Sequence, residues 1–258
     1  MISTSEQQQV CVVPLSEEST NMDYLSKPSK DSLKSYQYTF QSCEECRLHK
    51  NRKTPISGRG SADASVVILL DKVSARAAYS GNVLDGGEGK TLQQVLRFVA
   101  KDYPFIRSKY LWVTPVVICP TQKAGEKKEI TPTPSPKEQS SCFPRLSGEI
   151  HHIQPEIIIA CGSAAFKTVS PSGIGSYEEN RGRVIEAYIT GDIGKYPIPA
   201  MVTYPMSQLY RNPTQNVGGI WNKTIGHFTT AISISETLLR KRESTLWDLA
   251  QNEKLNKL

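Results

Sequence analysis

Four cysteines stand where their chemistry can be combined. Cys43 and Cys46 form the C-x-x-C of "SCEECRLHK", Cys119 ends "YLWVTPVVIC", and Cys142 lies in "PSPKEQSSCFPRL". Thiolates are soft ligands, and four of them suit an iron–sulfur cluster or a zinc ion. A thioredoxin-type redox pair would sit at a strand-to-helix turn, whereas polar sequence precedes this C-x-x-C. A zinc ribbon would show a second close pair, which is absent. Spacing alone leaves cluster, zinc and no metal all open. Cys11 and Cys161 complete the six cysteines. Both fall outside the quartet, and Cys161 is expected to be a small buried apolar residue.

A second stretch, "LDGGEGKT" (84–91), imitates a phosphate-binding loop. A P-loop requires G-x-x-x-x-G-K-[ST] directly between a strand and a helix. Gly89-Lys90-Thr91 supply the end of that motif, but Leu84 occupies the place of its first glycine. The nearest upstream strand, read at 66–71, ends well before it. No nucleotide triphosphate is expected there.

The bulk properties narrow the field. A chain of 258 residues with 38% apolar content can bury one substantial core. It contains no run of about eighteen apolar residues, so no membrane span is expected. "MISTSEQQQV" lacks a basic region followed by an apolar core, so an intracellular, cytoplasmic setting with reduced thiols is expected. The net charge of +6 favours a polyanionic partner, and a merely basic soluble protein would carry the same charge.

Around the reactive residues the sequence reads as alternating strands and helices. "SVVILLD" (65–71), "YLWVTPVVIC" (110–119), "EIIIACG" (156–162) and "PAMVTYP" (199–205) are continuous apolar runs, as suits parallel strands covered on both faces. Between them, Leu92, Val95, Leu96 and Val99 recur at helical spacing, and Ser135 with Glu138 forms a capping-box pattern before another helix. A short helix follows in "GSAAFKTV", and Trp221, Ile225, Phe228 and Ile232 mark a last helical face. The pattern predicts an α/β fold, a three-layer α/β/α sandwich around a four-stranded parallel sheet. Ligands of such sheets bind beyond the carboxyl ends of the strands. Residues 1–35, rich in Ser, Glu, Gln and Lys, read as a disordered tail containing a short "VCVVPL" patch. The domain is expected over 36–240, with a charged tail over 241–258, and "GEKKEITPTPSP" (125–136) reads as a loop.

Several blocks, in order, resemble the iron–sulfur family 4 uracil-DNA glycosylases. They are "CEECRLHKNRKTPISGRGSADASVVIL", "YLWVTPVVICP", "PSPKEQSSCFPRL", "IQPEIIIACGSAAF", "NRGRV" and "VTYPMSQLYRNP", spanning about 40–232. The resemblance implies the uracil-DNA glycosylase-like fold, DNA as partner, and a [4Fe–4S] cluster on Cys43, Cys46, Cys119 and Cys142. It also places "GNVLDGGEGKTLQQVL" in a glycine-shaped loop beside the base pocket.

The same resemblance exposes departures. Excision of a base needs a pocket for the flipped base, a donor at the developing oxyanion and a positioned water. Where the family has a water-orienting G-E-x-P-G, this chain has "LDKVS" (70–74), leaving Asp71 for the glutamate. Leu84 replaces the stacking Phe, Pro115 the uracil-reading Asn, and Pro205 the His that stabilises the leaving oxygen. Proline offers neither a polar side chain nor an N–H. Asp71 remains as the one acid–base candidate, against a reading as a solvated strand-end residue. Arg52, Lys53, Ser207 and Arg211 are expected at DNA phosphates, in company with Arg47 and Lys50. Two functions follow from the resemblance. One is a DNA-binding component of repair or replication machinery, associated with other proteins of it, with little or no uracil excision. The other is an active glycosylase with a rewired site for uracil or another modified base.

Overall fold

The computed structural model describes residues 30–103, 110–122, 132–191, 194–211 and 219–255. Residues 1–29, with Cys11 and the "VCVVPL" patch, and most of the 125–136 loop lie outside the described residues.

Four apolar runs form parallel strands, and alternation within each divides its side chains between two layers. The strands are β2 (Val66–Leu70), β3 (Leu111–Pro115), β4 (Ile157–Cys161) and β6 (Gly194–Thr203). In β2, Val66, Ile68 and Leu70 pack with Leu92, Val95, Phe228 and Ile232. Val67 and Leu69 face the other way, toward Leu146, Ile150, Ile153 and Phe166. Both faces of the sheet are therefore dry. That explains runs of Val and Ile without polar alternation.

The predicted four-stranded parallel sheet is present, and an antiparallel strand is added at each edge. The order is β1-β3-β2-β4-β6-β5, with β1 (Arg59–Gly60) beside β3 and β5 (Val184–Gly191) beside β6. β5 escaped a search for continuous apolar runs because it alternates: Ile185, Ala187 and Ile189 are buried, Tyr188 is exposed. Alternation is the mark of an edge strand with one wet face. β3 is shorter than the predicted 110–119. After Pro115 the Val116 N–H donates to the Leu70 carbonyl, 2.8 Å away, and the chain turns.

Helices α2 (Ala75–Ser80), α3 (Gly87–Asp102), α7 (Met206–Arg211) and α8 (Ile220–Leu255) belong to one layer. Helices α1 (Lys30–Thr39), α4 (Pro136–Ile153), α5 (Ser163–Val169) and α6 (Tyr177–Asn180) belong to the other. The capping box at α4 is formed on both sides, Ser135 accepting from the Glu138 N–H and Glu138 from the Ser135 N–H. α1 begins inside the stretch read as a disordered tail, anchored by buried Leu33. α8 continues unbroken through residue 240 into the stretch read as a charged tail. Among the described residues, no helix is long and apolar enough to cross a membrane.

One buried polar group joins α4 to the sheet. Arg145 is 2% exposed, and its guanidinium donates to the carbonyls of Pro115 (2.6 Å) and Val116 (3.0 Å), to Thr114 Oγ1 (2.8 Å) and to Glu149 (3.0 Å). Glu149 is completed by Thr114 Oγ1 at 2.7 Å and by Gln37 of α1 at 3.1 Å. Removing one partner of such a pair leaves a buried charge unmatched, at a cost of about 3–5 kcal/mol. Arg145→Leu is therefore expected to lower stability by about that much in urea unfolding. Arg145→Leu combined with Glu149→Leu should recover part of the loss, and equal losses in both proteins would contradict the ion-pair account.

Candidate functional site

The four cysteines meet. A 3₁₀ turn at Arg47–Asn51 follows the C-x-x-C, β3 delivers the segment ending at Cys119, and α4 carries Cys142. Cys43, Cys46, Cys119 and Cys142 line one small cavity together with Leu48, Val117 and Ile118. Among the described residues, no three His, Cys, Asp or Glu side chains are drawn close enough to hold a metal ion as they stand. The donor set nevertheless fits a thiolate-bound group: four cysteines line one cavity, with an arginine donor at two of them. Arg52 donates to Cys119 Sγ at 3.0 Å, and Arg145 approaches Cys142 Sγ at 3.9 Å. Burial pushes the Cys119 thiol up to about 11, with Arg52 pulling the other way. Burial also raises the Cys46 thiol.

Arg52 is thereby committed inward. Its second guanidinium nitrogen donates to the Cys43 carbonyl at 2.6 Å and to that of Gln41 at 3.3 Å. This side chain staples the cysteine loop instead of facing solvent, while its neighbour Lys53 is exposed. Arg47 bridges to α4 through Glu138, 2.8 Å away. Burial would raise the Glu138 carboxyl, but Arg47 and the Ser135 cap hold it below its ordinary value.

Asp71, Pro115 and Pro205 stand at or just beyond the carboxyl ends of β2, β3 and β6. β2 and β4 are neighbours whose following helices cover opposite faces of the sheet, which defines the crevice where ligands of such folds bind. Asp71 lies in that crevice and is 9% exposed, which rules out a solvated strand end. Its Oδ1 accepts the Ala165 N–H at 2.9 Å, so the carboxylate caps the start of α5. The adjacent Gly162 has φ +105°, and a Cβ there would lie 2.1 Å from Asp71 Oδ2. Only glycine permits this approach. Burial raises the Asp71 carboxyl to about 6, against the Ala165 N–H and the Lys72 charge.

Two partners at this end of the sheet were not singled out from sequence. Lys72 is 7% exposed, and burial lowers its ammonium pKa while Glu88 and Asp71 oppose the shift. Burial likewise raises Glu88, against the charges of Lys72 and Arg211. The signal was legible only as a lysine directly after the strand and a glutamate in the first turn of α3. Neither residue type is specific at such a place. Near Pro205, His227 of α8 stacks on Tyr204, with ring centroids 6.0 Å apart, and the Arg181 guanidinium lies over the same Tyr204 ring, 4.5 Å from its centroid. Burial and the Arg181 charge push the His227 imidazole down to about 4.

Leu84 lines a different cavity, between α2 and α3, whose lining includes none of Asp71, Pro115 and Pro205. Gly89 lies in the first turns of α3 because a Cβ there would meet the Leu84 carbonyl at 1.9 Å. α2 separates β2 from α3, so the strand-loop-helix arrangement of a P-loop is not formed. Ser207 and Arg211 share α7, where Arg211 Nε donates to the Ser207 carbonyl at 3.0 Å and the guanidinium remains exposed. Cys161 ends β4, buried among apolar residues.

Comparison with known proteins agrees with this architecture. Residues 57–230 match the family described as the Uracil DNA glycosylase superfamily. The chain is 26% identical over 174 residues to a Type-4 uracil-DNA glycosylase of Pyrobaculum aerophilum, covering 67% of this chain and 82% of that protein. It is 28% identical over 170 residues to the Type-4 uracil-DNA glycosylase of Thermotoga maritima, covering 66% and 79%. The corresponding protein of Saccharolobus solfataricus is 26% identical over 182 residues, covering 68% and 76%. The matched segment takes in the four parallel strands, the crevice between β2 and β4, and the start of the final helix, and the chain belongs to the uracil DNA glycosylase superfamily.

Proposed function

We propose that this protein is a DNA-binding member of the superfamily, acting in DNA repair or replication, with uracil excision lost or much reduced. The observation that carries the reading is the state of the crevice. The carboxylate expected to orient water is Asp71, and it is hydrogen-bonded inward to Ala165. The positions expected to read the base and stabilise the leaving oxygen are Pro115 and Pro205. Neither can donate a hydrogen bond, and the Pro115 carbonyl is occupied by Arg145. Loss of a single oxyanion donor lowers rates about 10²–10³-fold in well-studied enzymes. Here the donor and the edge-reading amide are replaced together in the crevice, and Leu84, at the position of the stacking ring, lines a separate cavity.

What remains favours binding. Lys53, Ser207 and Arg211 supply exposed or half-exposed groups suited to phosphate oxygens, while Arg52 acts one step back by fixing the cysteine loop. Cys43, Cys46, Cys119 and Cys142 would hold the [4Fe–4S] cluster. When bound, such a cluster cross-links the C-x-x-C loop, the end of β3 and α4 through its iron–thiolate bonds.

The function is tested by incubating the pure protein with uracil-containing single- and double-stranded oligonucleotides, beside a Type-4 relative, and measuring abasic sites. Excision at least about 10³-fold slower than the relative's is expected. Robust turnover that Asp71→Asn abolishes would overturn the reading and make Asp71 the centre of an active, rewired site.

Anaerobic purification is expected to give a brown protein with iron and sulfide in cluster stoichiometry. Cys119→Ala and Cys142→Ala should lose the iron and Cys161→Ala should keep it. Stoichiometric zinc without iron would refute the cluster.

Asp71 also sets a pH dependence. Its folded pKa, about 6, is raised from the ordinary 3.8, so the folded state holds the proton more tightly than the unfolded state. Stability on this account is greatest below about pH 4 and falls as pH rises through 6. Asp71→Asn keeps an acceptor for Ala165 and removes the buried charge. It should raise stability at pH 7 by up to about 3 kcal/mol and leave it nearly unchanged at pH 4. Destabilisation at pH 7 would contradict the burial account.

A further inference from the structure

The cavity between α2 and α3 has about 490 Å³ of space and is lined by Arg76, Lys90 and Arg97, with one acid, Asp85. Lys90, Gln93, Gln94 and Arg97 recur at i, i+3, i+4 and i+7, so they form one stripe of α3, opposite the core-facing Leu92, Val95 and Val99. Arg76 closes the cavity from α2. Among the described residues, no carboxylate pairs with any of the three cations. Three unpaired cations converging on a concavity differ from a solvated charged face, where they would repel and diverge.

The floor is rigid. Asn82 Nδ2 donates to Asp85 at 3.0 Å, and its Oδ1 accepts the Leu84 N–H at 3.1 Å. Ser74 donates to the Asp85 carbonyl at 3.1 Å, and Gln93 to the Leu84 carbonyl at 3.3 Å. Asp85 is thus tied into the loop by Asn82, and the lining keeps three cations against this one carboxylate. At the rim, Tyr79 is 82% exposed and lies 5.8 Å from the Arg76 guanidinium. A tyrosine so exposed presents most of its ring to water, beside the Arg76 guanidinium.

We propose that this cavity binds single-stranded DNA, Arg76, Lys90 and Arg97 taking successive backbone phosphates and Tyr79 stacking an unpaired base. A basic groove with an adjoining aromatic platform is the recurrent solution for single strands, since every base has a face to stack. A duplex offers this surface its phosphates but keeps its bases stacked on one another. The inference rests on the reading of the protein as DNA-binding. It adds a second contact region, between α2 and α3, to the exposed residues Lys53 and Arg211.

The test is fluorescence anisotropy with an oligo-dT strand and a duplex of equal length, over a range of salt concentrations. The wild type is compared with R76A/K90A/R97A, with Tyr79→Ala and with K53A/R211A, each checked by thermal melting. All these side chains are exposed, so the variants are expected to fold. The triple variant should bind the single strand more weakly, with the slope of log affinity against log salt reduced by about 2, roughly 0.7 per lost phosphate contact. Tyr79→Ala should lose about tenfold on the single strand and little on the duplex. An unchanged affinity and slope in the triple variant, with K53A/R211A weakened, would overturn the cavity and leave DNA binding standing. Equal loss on both DNAs in Tyr79→Ala would overturn the stacking role. A wild type that binds neither DNA would overturn both readings.

Discussion

The guanidinium of Arg145 is the point on which the two ends of this structure depend. It holds the carbonyls of Pro115 and Val116, at the end of a central strand, against α4. Cys142 lies three residues before it on the same helix, and Cys119 lies just beyond the carbonyls it binds. The interaction that closes the core thus also sets the separation of two proposed cluster ligands. Glu149 matches its charge, with Thr114 and Gln37 on the carboxylate, and among the described residues only the Arg145 Nε of this group is left without a hydrogen bond. A buried pair with this many partners is favoured less for net stability than for fixing one arrangement of helix on sheet.

A second constraint acts across the sheet. Parallel strands whose helices leave toward opposite faces open a crevice, and most folds of this kind fill it with a ligand. Here Asp71 reaches into it and caps α5, and Gly162 gives way so that the carboxylate can pass. The Lys72 ammonium and the Ala165 N–H offset part of the cost of the buried charge, and Glu88 adds to it. These contacts tie the crevice wall into the scaffold. The basic cavity beside α3 then lies where the chain keeps charge unpaired and exposed, which is the opposite treatment.

Much of this was legible in the sequence because it follows from periodicity and local rules. Continuous Val/Ile runs disclosed the parallel strands, and Ser135 with Glu138 disclosed the start of α4. The grouping of Cys43, Cys46, Cys119 and Cys142 was implied by the resemblance and not by their spacing, and the structure lines one cavity with all four. What was not legible depends on contacts between distant segments. Arg145 reads as an ordinary basic residue on a helix until β3 is packed against it. Arg52 reads as a phosphate contact until Cys43 and Cys119 are seen to occupy it. Asp71 could be weighed as a water-positioning acid or a solvated end, and the structure gives a third role, since its partner is a backbone N–H 94 residues away. β5 was missed because one of its faces is wet, so its apolar residues alternate instead of running together.

The central claim is that Asp71 serves the fold and not a reacting nucleotide. Its carboxyl group can be followed directly by carbon-13 NMR through a pH titration, alone and saturated with an oligonucleotide containing uracil or thymine at one position. The account predicts a midpoint at about 6 in the free protein, unchanged between the two DNAs. A midpoint in the ordinary carboxylate range, or one displaced by uracil but not by thymine, would show a carboxylate open to the crevice and contradict it.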